Sequence, residues 1–159
     1  MKLQDFKEKY NSLYYKKNLC GAEALAAVKQ DGYDLRYVYN QTEEICLAAV
    51  KQDGRALQYV YNQTEEICLA AVRQDGNALR YVRDQTAEIC LEAVKQHCYA
   101  LQYVRDQTEE ICLAAVRQNG DALQFVDSEF FKYHIIEIDG KAIELSEESF
   151  FNLKKQLCG

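Results

Sequence analysis

The chain has 159 residues, 48% of them apolar, a formal charge of −6 and no proline. That balance suits one folded domain and argues against a disordered chain or a proline-stiffened linker. No apolar run approaches the roughly 20 residues that cross a bilayer. The lysine-bearing start, Met1 to Lys17, lacks the apolar stretch of a secretory signal, so a cytoplasmic protein without membrane contact is expected.

Residues 2–18 read as an amphipathic helix, with Leu3, Phe6, Tyr10, Leu13 and Tyr14 on one face and lysines over much of the rest. A cover with one polar face is what the end of a repeat stack needs. Cys20-Gly21 breaks this helix, and residues 1–22 are expected to form an N-terminal capping helix.

From 23 to 126 a 22-residue unit recurs five times without insertion, beginning at Glu23, Ile45, Ile67, Ile89 and Ile111. Self-similarity at a fixed period marks a repeat architecture. Two helices are expected in each unit. Before the third copy, Thr64 is a good N-cap, and Glu65 and Glu66 put negative charge in the first turn. The first helix runs to Gln74, with Arg73 in its last turn. Asp75-Gly76 supplies the stop, Gly being able to take positive φ. A second helix is expected from Asn77 to about Arg83. Ile67, Cys68, Leu69, Ala71 and Val72 sweep a wide apolar arc, as a helix with neighbours on both sides would show. Ala78, Leu79 and Val82 form the buried stripe of the second, with Tyr81 at its edge.

Twenty-two is also two elevens, the period of a slightly right-handed continuous helix, and a coiled or lipid-binding rod is the competing reading. The recurring breakers Gly32, Gly54, Gly76 and Gly120 disfavour it, each costing about 0.8–1 kcal/mol inside a helix.

Seven cysteines suggest a disulfide framework, but Cys46, Cys68, Cys90 and Cys112 hold one position in four successive units. Stacked helices place such residues about 8–10 Å apart, beyond the roughly 7 Å that a disulfide spans. Reduced, small core residues are expected.

The end of the chain changes character, with Phe125, Phe130, Phe131, Phe150 and Phe151 gathered there. Tyr133 to Ile138, Asp139-Gly140 and Lys141 to Leu145 read as a β-hairpin, Asp-Gly being a type I′ signal. Ser146 caps a final helix, with Leu145 and Phe150 placed as a hydrophobic staple. Residues 127–159 therefore read as a C-terminal β-hairpin and helix, either a cap on the last repeat or a docking surface. The fold class expected is an all-α repeat solenoid of short helical hairpins over 23–126, with this small β-hairpin plus helix behind it.

The recurring core, seen as Ala49-Val50-Lys51-Gln52-Asp53-Gly54 with Ala56-Leu57-Gln58-Tyr59-Val60, resembles a short helical-repeat domain of unknown function. Those repeats typically carry Thr-Pro-Glu where this chain has Thr64-Glu65-Glu66, which keeps the cap and drops the proline. The resemblance covers 23–126 and implies no catalytic or ligand residues. The fourth copy departs most, with His97-Cys98 in place of Asp-Gly. Cys98 is expected to strain that turn or change its type.

No catalytic constellation emerges, and neither a cofactor nor a metal is expected. There are two histidines; no nucleophile motif surrounds His134, and Cys90, His97 and Cys98 lie at opposite ends of a helix, His97-Cys98 being the adjacent pair. The surface of interest is the outer face of the second helices. Three positions per copy, three residues apart, vary there while the buried positions barely do. They hold Tyr33, Arg36 and Tyr39, then Arg55 and Tyr61, then Arg80 and Arg83, then Tyr99 and Arg105. Tyr and Arg are the residues of interface hot spots. A ladder of them points to an unidentified protein partner, in a sharper form to a small inhibitor that covers a partner's functional surface. The second reading is single-stranded nucleic acid, its bases stacked on Tyr and its phosphates met by Arg. The repeats carry ten Lys or Arg against sixteen Asp or Glu, and that acidity disfavours a phosphate backbone.

Overall fold

The computed structural model describes residues 19–127 and the backbone of two short segments, 135–138 and 141–144. The expected helix over 2–18, His134, the Asp139-Gly140 turn and the helix after Ser146 lie outside the described residues.

Each copy folds into a ten-residue α-helix followed by a six-residue 3-10 helix. The pairs are α1 (Gly21–Gln30) with η1 (Gly32–Tyr37), α2 (Glu43–Gln52) with η2 (Gly54–Tyr59), and α3 (Glu65–Gln74) with η3 (Gly76–Tyr81). Then come α4 (Ala87–Gln96) with η4 (Cys98–Tyr103) and α5 (Glu109–Gln118) with η5 (Gly120–Phe125). No continuous helix runs through the repeat. The threonine caps act as the sequence indicates: the hydroxyls of Thr42, Thr64, Thr86 and Thr108 accept from the backbone N–H of Ile45, Ile67, Ile89 and Ile111. At the other end one residue serves both helices. Asp75 is extended (φ −144°, ψ 110°), its N–H closes α3 on the Ala71 carbonyl, and its carboxylate accepts from the N–H of Asn77 to open η3.

Two expectations are corrected here. The second helix is 3-10, begins at the glycine and ends at Tyr81 rather than Arg83. In a 3-10 helix, residues three apart eclipse one another. Gly54, Leu57 and Val60 therefore turn inward together, all buried, while Arg55, Gln58 and Tyr61 share the exposed side. An α-helix would fan those sets apart. The second correction concerns the glycines: among the described residues only Gly21 has positive φ, at 53°. Gly32, Gly54 and Gly76 are instead places of close approach. A Cβ on Gly54 would lie 2.5 Å from the Ala71 carbonyl oxygen of the next α-helix, and one on Gly76 2.5 Å from that of Ala93.

Consecutive α-helices pack side by side, consecutive 3-10 helices do the same, and each α-helix also covers the 3-10 helix before it. The core runs along the seam. It is made of the Ile, Cys, Ala and Val columns of the α-helices and the Leu and Val columns of the 3-10 helices. Leu69, read as part of the buried arc, is only half-buried, as are Leu47 and Leu91. Asp34 is buried at the place Ala holds in later copies.

Cys98 does not change its turn. His97 has the dihedrals of the other caps (φ −149°, ψ 109°), and its Nδ1 accepts from the Tyr99 N–H at 3.3 Å as the Asp carboxylates do. The Cys98 side chain is itself buried, 8% exposed.

No strand forms within 19–127; Leu19 meets Val38 in a single parallel bridge. Segments Ile135–Ile138 and Lys141–Glu144 run antiparallel, Ile135 opposite Glu144 and Ile138 opposite Lys141.

Candidate functional site

The loops that follow the 3-10 helices form one edge of the stack, and a glutamine organises each of them. Gln63 donates through Nε2 to the Leu57 carbonyl of its own copy (3.3 Å) and to the Tyr81 carbonyl of the next (3.0 Å). Its Oε1 accepts from the Arg83 N–H at 3.0 Å and from the Cys68 thiol at 3.8 Å. Gln41 and Gln85 repeat the pattern, and Gln107 reaches the Phe125 carbonyl at 2.9 Å. One amide thus matches backbone donors and acceptors of two copies, as half-buried polar groups require. Each of these glutamines stands beside an equally invariant threonine cap, and bonds to backbone groups leave no separate mark in a sequence.

The same bonds explain the cysteines. Cys46, Cys68, Cys90 and Cys112 are buried and free, and each thiol faces a glutamine oxygen. Burial pushes their thiols up to about 11, with Glu43 adding to it at Cys46. The thiolate is the reactive form, so these four are poor nucleophiles. Iodoacetamide at about pH 8 should label exposed Cys20 quickly and the four buried thiols only as fast as the stack opens. Rapid native labelling of Cys68 by mass spectrometry would contradict this. Because folding raises these pKa values, the associated stability is fully present below about pH 9 and is lost as the pH rises through about 11.

The structure does not gather the nine Tyr and Arg positions into one cluster; they fall into three local arrangements. In the first column the side chains interlock along the stack. Tyr33 packs edge-on against Tyr59 with ring centroids 5.8 Å apart, and Arg55 Nε donates to Asp75 Oδ2 at 3.0 Å. Burial alone would raise the Asp75 carboxyl, but hydrogen bonds from Arg55 and the Asn77 N–H outweigh it and hold it low. Tyr99 packs against Phe125 at 5.7 Å and accepts at its hydroxyl from Asn119 at 3.1 Å. In the middle column Arg36 and Arg80 lie over the rings of Tyr37 and Tyr81, at 4.6 and 4.7 Å from the centroids.

The third column divides into two kinds. Tyr39 and Tyr61 are 83% and 62% exposed. Arg83 and Arg105, at the same position in later copies, turn back onto the stack. Arg83 donates to the carbonyls of Tyr61 (2.7 Å) and Val60 (2.8 Å), and Arg105 to those of Arg83 (2.7 Å) and Val82 (2.9 Å). These two arginines are clamps between copies. Arg83→Ala should lower stability by about 1 kcal/mol, read as a fall in Tm.

Beside Tyr61 lies a cleft of about 190 Å³ whose lining includes Glu43, Asn62 and Thr64. Among the described residues no three His, Cys, Asp or Glu side chains are placed to hold a metal ion. No helix among them is long and apolar enough to cross a membrane.

Short helices repeated at a 22-residue period, joined by bonds between copies, define an α-helical repeat protein. A family described as "Domain of unknown function (DUF4116)" matches residues 24–64, 42–86, 64–108 and 86–131, and the chain belongs to that family. No curated protein and no solved structure matches the chain.

Proposed function

We propose that the protein is a non-catalytic binding module that captures a partner protein on its loop edge, centred on Tyr39 and Tyr61. The supporting observation is the pair itself. Two large aromatic side chains stand exposed at equivalent places in successive copies, while the Tyr61 backbone is held by Gln41 Oε1 at its N–H and by Arg83 at its carbonyl. A ring presented from a fixed backbone loses little freedom on binding, and Tyr is among the residues that dominate interface energies. Inhibition of the partner by covering its working surface is the sharper form of this reading. The C-terminal hairpin, as a cap on the fifth copy, belongs to the same proposal. Single-stranded nucleic acid is the second reading; Arg36 and Arg80 are exposed and lie over aromatic rings.

The test is a tagged pull-down with and without nuclease, comparing wild type with Tyr39→Ala/Tyr61→Ala. One protein recovered in both treatments and lost with the double variant is the expected result, with Tm nearly unchanged. Recovery that vanishes with nuclease, and binding that falls steeply with salt, would put nucleic acid first.

A further inference from the structure

We infer that the step between Tyr39 and Tyr61 is a receptor for an arginine side chain on the partner protein, an inference that rests on the binding edge proposed above. The chain itself shows the chemistry. One copy further on, Arg83 lays its guanidinium across the carbonyls of Val60 and Tyr61, and two copies on Arg105 does the same to Val82 and Arg83. Two carbonyl oxygens side by side, from a C-cap residue and its successor, are thus a guanidinium site that this repeat makes twice and fills from within. Val38 and Tyr39 are the same pair one copy earlier: Val38 ends η1 in the extended conformation with its N–H on the Leu35 carbonyl, as Val60 ends η2 on Leu57. The residue that would fill it from within is Tyr61, which has no guanidinium to offer.

What stands there instead favours a cation from outside. The Tyr61 ring is exposed and offers a π face to a planar guanidinium. Glu43, in the first turn of α2, shares with Tyr61 the lining of the cleft. The loops themselves differ in their side chains between the two halves of the stack, with no change in net charge. They read Tyr39-Asn40 and Tyr61-Asn62 in the first two copies, but Arg83-Asp84 and Arg105-Asp106 in the next two. The first half therefore presents aromatic rings, amides and the carboxylates of Glu43, Glu44, Glu65 and Glu66 without a basic residue in the loop. A segment carrying arginine complements that surface; an acidic segment is repelled. Lysine fits less well, because a point charge with three divergent donors does not span two carbonyls and stack on a ring at once.

The experiment uses the full chain and three fluorescein-labelled peptides that alternate Gly and Ser around two Arg, two Lys or two Glu residues, read by anisotropy. The Arg peptide should bind about tenfold more tightly than the Lys peptide, and the Glu peptide should not bind. Tyr61→Arg rebuilds the internal clamp, so it should keep or raise Tm while weakening the Arg peptide about tenfold. Glu43→Gln should weaken it several-fold, whereas Glu109→Gln, the same loss of charge at the start of α5, should change it less than about twofold. Equal binding of Arg and Lys peptides, indifference to Tyr61→Arg, or no binding of the Arg peptide would each overturn the arginine receptor. The same variant separates this from the wider reading. If Tyr61→Arg loses the pulled-down partner while the peptides show no preference for Arg, the edge stands and the arginine falls. If it keeps the partner, both fall.

Discussion

Gln63→Glu, which exchanges one nitrogen for an oxygen and leaves the size unchanged, should cost the stack about 3 kcal/mol or more. The substitution keeps the side chain's shape and its acceptor toward the Arg83 N–H but replaces the Nε2 donor with an oxygen. That oxygen would face the Leu57 and Tyr81 carbonyls where Gln63 now donates at 3.3 and 3.0 Å. Either the ionised carboxylate meets two carbonyl oxygens with no donor between them, or it takes up a proton that water would not have given it at neutral pH. The sign of the pH dependence follows. The folded variant raises the pKa of this carboxyl above its unfolded value, so the deficit is small below the ordinary carboxylate range and grows as the pH rises through the raised value. Thermal unfolding should show Tm lowered by about 10 °C at neutral pH, with part of the loss recovered near pH 4. In a stack whose copies touch only their neighbours, such a lesion also uncouples the two sides of the junction. Unfolding of Gln63→Glu should therefore broaden or split into two steps. A variant as stable and as cooperative as wild type would show that the glutamine is not what joins the copies.

What the sequence made legible, and what it hid, can be traced to particular residues. The period, the Thr64 cap and the buried Ile, Cys, Ala and Val columns follow from composition and 100° spacing, and they are found as expected. The 3-10 geometry was hidden because Ala78, Leu79 and Val82 satisfy an inward face at either 3.0 or 3.6 residues per turn over so short a segment. Glycine misled because two physical reasons produce the same letter. Freedom of φ was expected at Gly76, whereas proximity to the Ala93 carbonyl is the cause. The proposed binding edge was read as a set of varying positions. Its division was not, because the partners of Arg83 and Arg105 are backbone carbonyls one copy earlier, and a backbone acceptor leaves no mark in a sequence. Gln63 was overlooked for the same reason.

Gly54→Ala should cost the stack about 2 kcal/mol, while Gly120→Ala should stay within about 0.5 kcal/mol of wild type. Helix propensity and unfolded-state entropy both favour alanine at either site, the latter by about 0.4–1 kcal/mol, so a loss at Gly54 must come from the fold. There the new Cβ would lie 2.5 Å from the Ala71 carbonyl oxygen, 3.0 Å from Gln74 Oε1 and 3.2 Å from the Asp75 Cβ. The Gln74 side chain can swing away, though doing so gives up the 2.7 Å bond it accepts from the Gly54 N–H. The Ala71 carbonyl cannot, because it already accepts the Asp75 N–H at 2.9 Å and belongs to α3. Relief requires α3 as a whole to move off η2, which opens the seam lined by Leu57, Val60, Ile67 and Val72. In the middle, each shift must be absorbed by copies on both sides. At Gly120 no atom of the described residues lies within 4 Å of the added carbon. Paired denaturant titrations of the two variants test this directly: equal midpoints would mean that close approach is not why glycine opens the 3-10 helix.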